Sequence, residues 1–172
     1  LNNLKIKSKE DIKLFFNSCI NYNFVVSNIE TFLTKKSPHP PFTTSTLQQE
    51  ASKKLGYSVS LTMNIAQILY ETGYITYIRT DSTHISEDAM IDLQSFIISN
   101  YGNNYFFKRK YNNNIYAQEA HEAIRPTIIT KRTLSTNNKY ILHLYELIWK
   151  RTVSGQMSDV ELEKTNIYIS TP

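Results

Sequence analysis

Only one cysteine, Cys19, occurs in the 172 residues. No disulfide can close within the chain and no cysteine-cluster zinc site can form, a pattern that fits a reducing compartment. Long apolar runs are missing too. Nothing approaches the roughly 18 consecutive apolar residues of a membrane span, and no apolar stretch follows a basic amino terminus as in a signal peptide. No membrane partner is expected. Glycine is scarce: Gly56, Gly73, Gly102 and Gly155 each stand alone at the end of an expected element, which leaves no P-loop and no dinucleotide fingerprint. Three of the five prolines sit together in Pro38–Pro41 and cannot propagate a helix or a central strand, so a boundary is expected there. Charge of one sign prevails only weakly. A formal net charge of +4 and a pI near 9.0 point faintly to a polyanionic partner, but the abundance of Asn, Lys, Ile and Tyr reads as an AT-rich coding sequence that raises Lys regardless of function.

What is present is enough for a core. Hydrophobic residues make up 41% of the chain, which excludes wholesale disorder, and the length suits one domain or one domain plus a fragment. No internal repeat occurs. The chain opens on Leu1 and breaks off in a strand-like stretch, so it is expected to be a piece of a longer protein. Ser8 with Asp11 makes a capping box for a helix over residues 8–20, carrying Ile12, Phe15, Phe16 and Cys19 at helical spacing. The aromatic and β-branched stretch 22–32 reads as a strand. Beyond the proline boundary, Ser45 is expected to cap a helix ending at Leu55 before Gly56. Ser60 opens a second, with Leu61, Ile65, Ile68 and Leu69 on one face, closed by Gly73. A short strand is expected over Tyr74–Ile78. Ser86 then starts a helix that turns Met90, Leu93, Phe96 and Ile97 inward and stops near Gly102. Residues 103–114 read as a surface loop. Ser135 caps a last long helix with an Ile141, Leu144, Tyr145, Ile148 and Thr152 stripe, and 162–170 alternates as a strand.

Four sets of residues could carry chemistry. In a strand, Tyr77 and Arg79 of Gly73-Tyr74-Ile75-Thr76-Tyr77-Ile78-Arg79-Thr80-Asp81-Ser82 share a face, so a phenol and a guanidinium can address one substrate group. Phosphoryl transfer to tyrosine needs this pairing. The free phenol has a pKa near 10, and positive charge beside it favours the nucleophile while stabilising charge on a phosphodiester. The same residues also suit a half-exposed strand with an ordinary tyrosine. His121, flanked by Glu119, Glu122 and Arg125, is either a structural hydrogen-bonder or a catalytic or phosphate-contacting group; no second His at ligand spacing supports a metal. Asn64, Gln67 and Glu71 form a helix face that leads toward Tyr77. Finally, Lys35, Lys36, Lys53, Lys54, Lys108, Arg109, Lys110, Lys131 and Arg132, with Tyr57, Tyr105 and Tyr111, could contact phosphates and unpaired bases, or serve solubility alone.

Three blocks in order, Pro41-Phe42-Thr43-Thr44-Ser45-Thr46-Leu47-Gln48-Gln49-Glu50-Ala51, the Tyr77 decapeptide, and Gln118-Glu119-Ala120-His121-Glu122-Ala123-Ile124-Arg125-Pro126, together resemble the motifs of bacterial type IA DNA topoisomerase I. The similarity also takes in Leu144 to Trp149. Reverse gyrase and topoisomerase III share the tyrosine motif, but the flanking blocks fit topoisomerase I better. The resemblance implies an α+β chain: residues 38–158 would be a mainly helical, tyrosine-bearing domain, with 1–37 and 159–172 belonging to the arch-forming domain. Tyr77 would attack single-stranded DNA to give a 5′-phosphotyrosyl bond, Arg79 would hold the scissile phosphate, and His121 would bind a phosphate nearby. Gln67, Glu71, Thr76, Thr80, Asp81 and Arg125 would border the site or position DNA. No cofactor is expected on these residues; Mg2+ would be held by an amino-terminal metal-binding domain that has no counterpart here. Partners would be single-stranded DNA and the remaining domains of the same polypeptide, in the bacterial cytoplasm and associated with the nucleoid. The fragment alone would relax nothing. From a different class, the alternative is a non-catalytic DNA-binding or interaction module that keeps the fold.

Overall fold

The computed structural model describes residues 8–111 and 121–170. Their elements are mixed helix and strand, an α+β chain. Helix α1 (Lys9–Ile20) begins on the capping box read from the sequence: the Asp11 amide donates to Ser8 Oγ and the Ser8 amide donates to the Asp11 carboxylate. Strands β1 (Val26–Lys36) and β2 (Val160–Ile169) pair in a two-stranded sheet. Its contacts link the Ser170 amide to Val25 O, the Ser27 hydroxyl to Tyr168 O, Thr31 to Thr165 and Lys35 to Glu161. Moving up one strand means moving down the other, so the pair is antiparallel. β1 starts four residues later than its aromatic content suggested. Tyr22 and Phe24 lie ahead of it and pack on each other edge-on, with centroids 5.4 Å apart, while pairing with β2 sets where the ladder runs.

The described residues divide into two compact units: Ser37–Val160, and the segments that end at Lys36 and resume at Glu161. The second of these carries little core of its own. No residue of α1 is buried.

In the larger unit, α2 (Thr44–Leu55), α3 (Val59–Glu71) and α5 (Lys139–Gly155) pack against one another. The helix starts differ from the expected ones. Thr43, not Ser45, caps α2; Ser58, not Ser60, caps α3; and Asn138, not Ser135, caps α5. The stop at Gly56 is as read, with φ 68° in the left-handed region. The α5 stripe of Leu144, Tyr145, Ile148 and Thr152 is buried, widened by Leu147, Trp149 and Val153. On α3 the buried face is Thr62, Ile65, Ala66 and Leu69; Ile68, expected inward, is exposed. Helix α4 (Glu87–Tyr101) buries Met90, Leu93, Phe96 and Ile97. Each of these large side chains contributes about 1.5–3 kcal/mol on burial. Two aromatic residues of α5 also tie down the chain that precedes it: Tyr145 OH donates to Lys131 O at 2.6 Å and Trp149 Nε1 donates to Ile129 O at 2.8 Å. Burial, with Tyr74 nearby, pushes the Tyr145 phenol up to about 12, which keeps it a neutral donor.

One further expectation is corrected. Tyr74–Ile78 is not a strand; its one ladder contact is an isolated antiparallel bridge between Ile75 and Pro126. Residues 103–111, expected as surface loop, hold no buried residue and little regular structure, and they are anchored. They include a 3-10 turn at Asn103–Tyr105, a bridge between Phe106 and Met157, and an Arg109 turned inward onto Asp159 and Met157 O. Positions 112–114 lie outside the described residues. So do Gln118, Glu119 and Ala120 of the third sequence block.

Candidate active site around Tyr77

The chain leaves α3 through Thr72 and turns at Gly73, whose φ of 74° is costly for any residue with a Cβ. It then runs on without forming a strand, bending at Ile78 and Arg79, and from Tyr77 onward buried and exposed residues alternate. Tyr77 is 46% exposed, Ile78 2%, and Thr80 7%, with Arg79 exposed between the last two. Tyr77 and Arg79 therefore both reach solvent while Ile78 and Thr80 hold the segment to the core. Strand alternation does not account for this, since Ile75, of the same parity, is only 1% exposed; the shared exposure of Tyr77 and Arg79 is reached by other means.

Those means are a clip joining all three sequence blocks. Ile124 N donates to Phe42 O at 2.8 Å, and Thr44 N donates to Thr80 O at 2.9 Å. The Thr44 hydroxyl, at the first position of α2, lies 2.7 Å from Ile78 O and 3.0 Å from Thr80 O as donor, and accepts from Thr80 N at 2.9 Å. On the other flank, Thr76 N donates to Arg125 O at 2.9 Å and Thr127 N donates to Tyr74 O at 3.0 Å. The Thr76 hydroxyl donates to Ala123 O at 2.7 Å and accepts from Arg125 N at 3.0 Å. Two threonine hydroxyls thus add to these backbone bonds, one on each side of Tyr77, and satisfy backbone groups that burial would otherwise leave costly. Thr80 continues the brace by accepting from Ser82 N at 3.0 Å.

Among the described residues, no hydrogen bond or ion pair engages the Tyr77 hydroxyl, the Arg79 guanidinium or the His121 ring. All three are exposed. His121 lies two residues from Ala123, whose carbonyl holds Thr76 and whose amide donates to His84 O at 2.8 Å. The Tyr77 ring packs edge-on against Tyr70 of the last turn of α3, with centroids 5.3 Å apart and planes at 66°. On the same helix Gln67 Nε2 donates to Glu71 Oε1 at 2.7 Å. Asp81 is exposed beside the buried Thr80 and Ser82.

Arg125 is placed differently from the freely presented Arg79. Its guanidinium donates to the Glu122 carboxylate at 2.7 Å and to Pro126 O at 3.0 Å, and its side chain is only 14% exposed. Glu122 in turn accepts from Ser86 N at 2.7 Å at the start of α4. Burial pushes the Glu122 carboxyl up, but the Ser86 hydroxyl and amide and the Arg125 guanidinium outweigh it and hold it below the ordinary carboxylate range. This pair fastens the third block to α4 and leaves the Arg125 backbone to hold Thr76.

The basic and aromatic surface is less available than its sequence suggested. Lys35, Lys54, Lys108 and Arg109 are ion-paired with Glu161, Glu50, Glu87 and Asp159. Tyr57 is buried against Tyr140 rather than free to stack on a base, and Tyr111 is half-buried, donating to Gly155 O at 2.7 Å; Tyr105 is exposed. Sequence reasoning singled out neither Thr44 nor Tyr70. Thr44 stands within the first block, but a lone threonine carries no periodic signal. Tyr70 stands one turn beyond Gln67 on α3.

A sequence model of the family described as DNA topoisomerase matches residues 1–171. Among similar proteins, the "DNA topoisomerase 1 type prokaryotic" of Acanthamoeba polyphaga mimivirus is 46% identical over 91% of this chain and 19% of its own length. The DNA topoisomerase 1 of Zymomonas mobilis is 42% identical over 97% of this chain and 14% of its own. The solved full-length topoisomerase I of Thermotoga maritima superimposes with a TM-score of 0.72 at 36% identity, covering 99% of this chain and 29% of that one. The chain therefore spans a fifth or less of these two curated relatives. With the family matched along almost its whole length and its three sequence blocks gathered around one exposed tyrosine, this chain belongs to the bacterial type IA DNA topoisomerase family.

Proposed function

We propose that this chain is the tyrosine-bearing part of an enzyme that cuts and reseals single-stranded DNA, with Tyr77 as nucleophile. The observation that carries the reading is an exposed tyrosine and an exposed arginine two residues apart, their functional groups engaged by no other described residue, on a backbone braced at both flanks. The Tyr77 oxygen attacks the phosphorus of a phosphodiester. A P–O bond to Tyr77 forms as the phenol gives up its proton to solvent, the bond to the 3′-oxygen of the preceding nucleotide breaks, and that oxygen takes up a proton from solvent to leave a 3′-hydroxyl. One diester replaces another, so the reverse attack by the 3′-hydroxyl reseals the strand without ATP. Arg79 binds the non-bridging oxygens of the scissile phosphate and offsets the charge that builds on them. His121 donates to a phosphate nearby. Thr76 and Thr80 hold the backbone, Gln67, Glu71 and Asp81 border the site, and Arg125 positions it through Glu122 and its own backbone.

In the intact enzyme, residues 38–158 act as the helical catalytic domain, and the flanking segments, 1–37 and 159–172, belong to the arch-forming domain. Cutting one strand, passing another and resealing relaxes negative supercoils. Mg2+ would be held by an amino-terminal metal-binding domain outside the described residues, among which no three His, Cys, Asp or Glu side chains gather as a metal site. No described helix is long and apolar enough to cross a membrane, and the enzyme works on nucleoid DNA in the bacterial cytoplasm. The test is relaxation of negatively supercoiled DNA by the intact parent enzyme. Tyr77→Phe is expected to abolish relaxation while single-stranded DNA binding persists. Undiminished relaxation overturns the nucleophile assignment, and relaxation absent in the unaltered enzyme favours a non-catalytic DNA-binding module.

A further inference from the structure

We infer that Tyr70 is a positioning residue for the nucleophile: its ring, edge-on to that of Tyr77, restricts where the attacking oxygen can go. The inference rests on the proposed role of Tyr77 and adds to it a residue from outside the Tyr77 segment.

The clip described above fixes the backbone on each side of Tyr77 through Thr76 and Thr44. It does nothing for the side chain. With 46% of its surface exposed and no hydrogen bond on its hydroxyl among the described residues, the Tyr77 ring would otherwise distribute itself over its staggered rotamers. Tyr70 is the ring that packs against it, at 5.3 Å between centroids and 66° between planes. Those values lie within the edge-to-face geometry that aromatic pairs favour. Tyr70 is itself well placed as a support. It stands in the last turn of α3, a helix whose Ile65, Ala66 and Leu69 are buried in the core, and its carbonyl accepts from Gly73 N at 2.9 Å. The support for the ring and the entry to the Tyr77 segment thus share one rigid helix end. A nucleophile that must meet phosphorus in line with a leaving oxygen gains directly from such restriction, because the fraction of time spent in the productive rotamer multiplies the rate. Attack and its reversal use the same ring position, so both should respond.

Tyr70 is 38% exposed, and an exposed ring beside a nucleic acid site could serve instead as a base-stacking platform. The two roles separate kinetically. A positioning ring changes the rate at saturating DNA, and a stacking ring changes affinity.

The experiment uses the intact parent enzyme carrying Tyr70→Ala, Tyr70→Phe or Tyr70→Leu, with a labelled single-stranded oligonucleotide. Single-turnover rates of covalent adduct formation and of resealing are measured at saturating DNA, alongside the oligonucleotide Kd and the melting temperature. Tyr70→Ala is expected to slow both steps by about 3–10-fold, the range an aromatic contact of this kind supports, with Kd unchanged. Tyr70→Phe, which keeps the ring, should restore both rates. Tyr70→Leu covers the end of α3 without a ring and should stay slow, so the comparison holds even if Tyr70→Ala fails to fold. Unaltered rates in Tyr70→Ala or Tyr70→Leu, a weakened Kd with unaltered rates at saturation, or a Tyr70→Phe as slow as Tyr70→Ala would each overturn the positioning role alone. An undiminished adduct in Tyr77→Phe would overturn the underlying reading as well.

Discussion

Replacing Thr44 with valine probes the brace on Tyr77 and Arg79 with almost no change of volume. The Thr44 hydroxyl accepts from Thr80 N at 2.9 Å and lies 2.7 Å from Ile78 O. Valine removes it and leaves the Thr80 amide without a partner beside a residue that is only 7% exposed. The Ile78 carbonyl loses its contact as well, while the bond from the Thr44 amide to Thr80 O survives. An unsatisfied, largely buried donor costs about 1–3 kcal/mol. Because no cavity forms, we expect a total near 2 kcal/mol, or a Tm lowered by about 4–8 °C at the 2–4 °C per kcal/mol that apply to chains of this size. Trp149, the chain's one tryptophan, sits in the core of the same unit, so urea unfolding followed by its fluorescence reads the effect directly. Thr44→Ser keeps the hydroxyl and should stay close to wild type. In the intact enzyme Thr44→Val should also slow DNA cleavage by about tenfold, since small misplacements of reacting groups are expensive. A Thr44→Val chain within about 0.5 kcal/mol of wild type, cleaving at the wild-type rate, would refute the reasoning.

Glu122 has its carboxyl held below its ordinary value of 4.5 in the folded chain, so it adds stability above that value that is lost as pH falls through it toward the folded pKa. Glu122→Gln should cost about 1 kcal/mol at pH 7, with the difference from wild type shrinking as pH falls below 4.5; a pH-independent difference in urea midpoints would count against the pair with Arg125. Gly56 has open space around the position of a Cβ but a φ of 68°, so Gly56→Ala should destabilise by about 1 kcal/mol through backbone strain alone. An unchanged or raised Tm would contradict it.

The helices were legible because caps and apolar periodicity agree. Met90, Leu93, Phe96 and Ile97 on α4 and the Leu144, Tyr145 and Ile148 stripe on α5 are buried as their spacing predicts. Helix starts were less so, since Thr43, Thr44, Ser45 and Thr46 all offer an oxygen and only the path of the incoming chain decides that Thr43 is the cap. The short Tyr74–Ile78 strand was misread for a related reason. β-favouring residues mark a strand-like segment, but whether it pairs depends on what lies beside it, and here the partners are two backbone bonds to Arg125 and Thr127 and the hydroxyls of Thr76 and Thr44. That Tyr77 and Arg79 both reach solvent was legible nonetheless, but strand alternation is not the cause: Ile75, of the same parity, is buried and the chain bends at Ile78 and Arg79. Tyr70 was not, since an edge-on ring pair across a helix end leaves no mark on sequence spacing. β1 was displaced toward β2 because register in a two-stranded pair is set by the partner.

The most direct test of the central claim is to identify the amino acid that becomes joined to DNA. The intact enzyme is incubated with a labelled single-stranded oligonucleotide, denatured to trap the cleaved state, digested, and the DNA-bearing peptide is sequenced by mass spectrometry. The account predicts a 5′-phosphotyrosyl bond on Tyr77 and no adduct in Tyr77→Phe; an adduct on any other residue, or one formed undiminished without the Tyr77 hydroxyl, would contradict it.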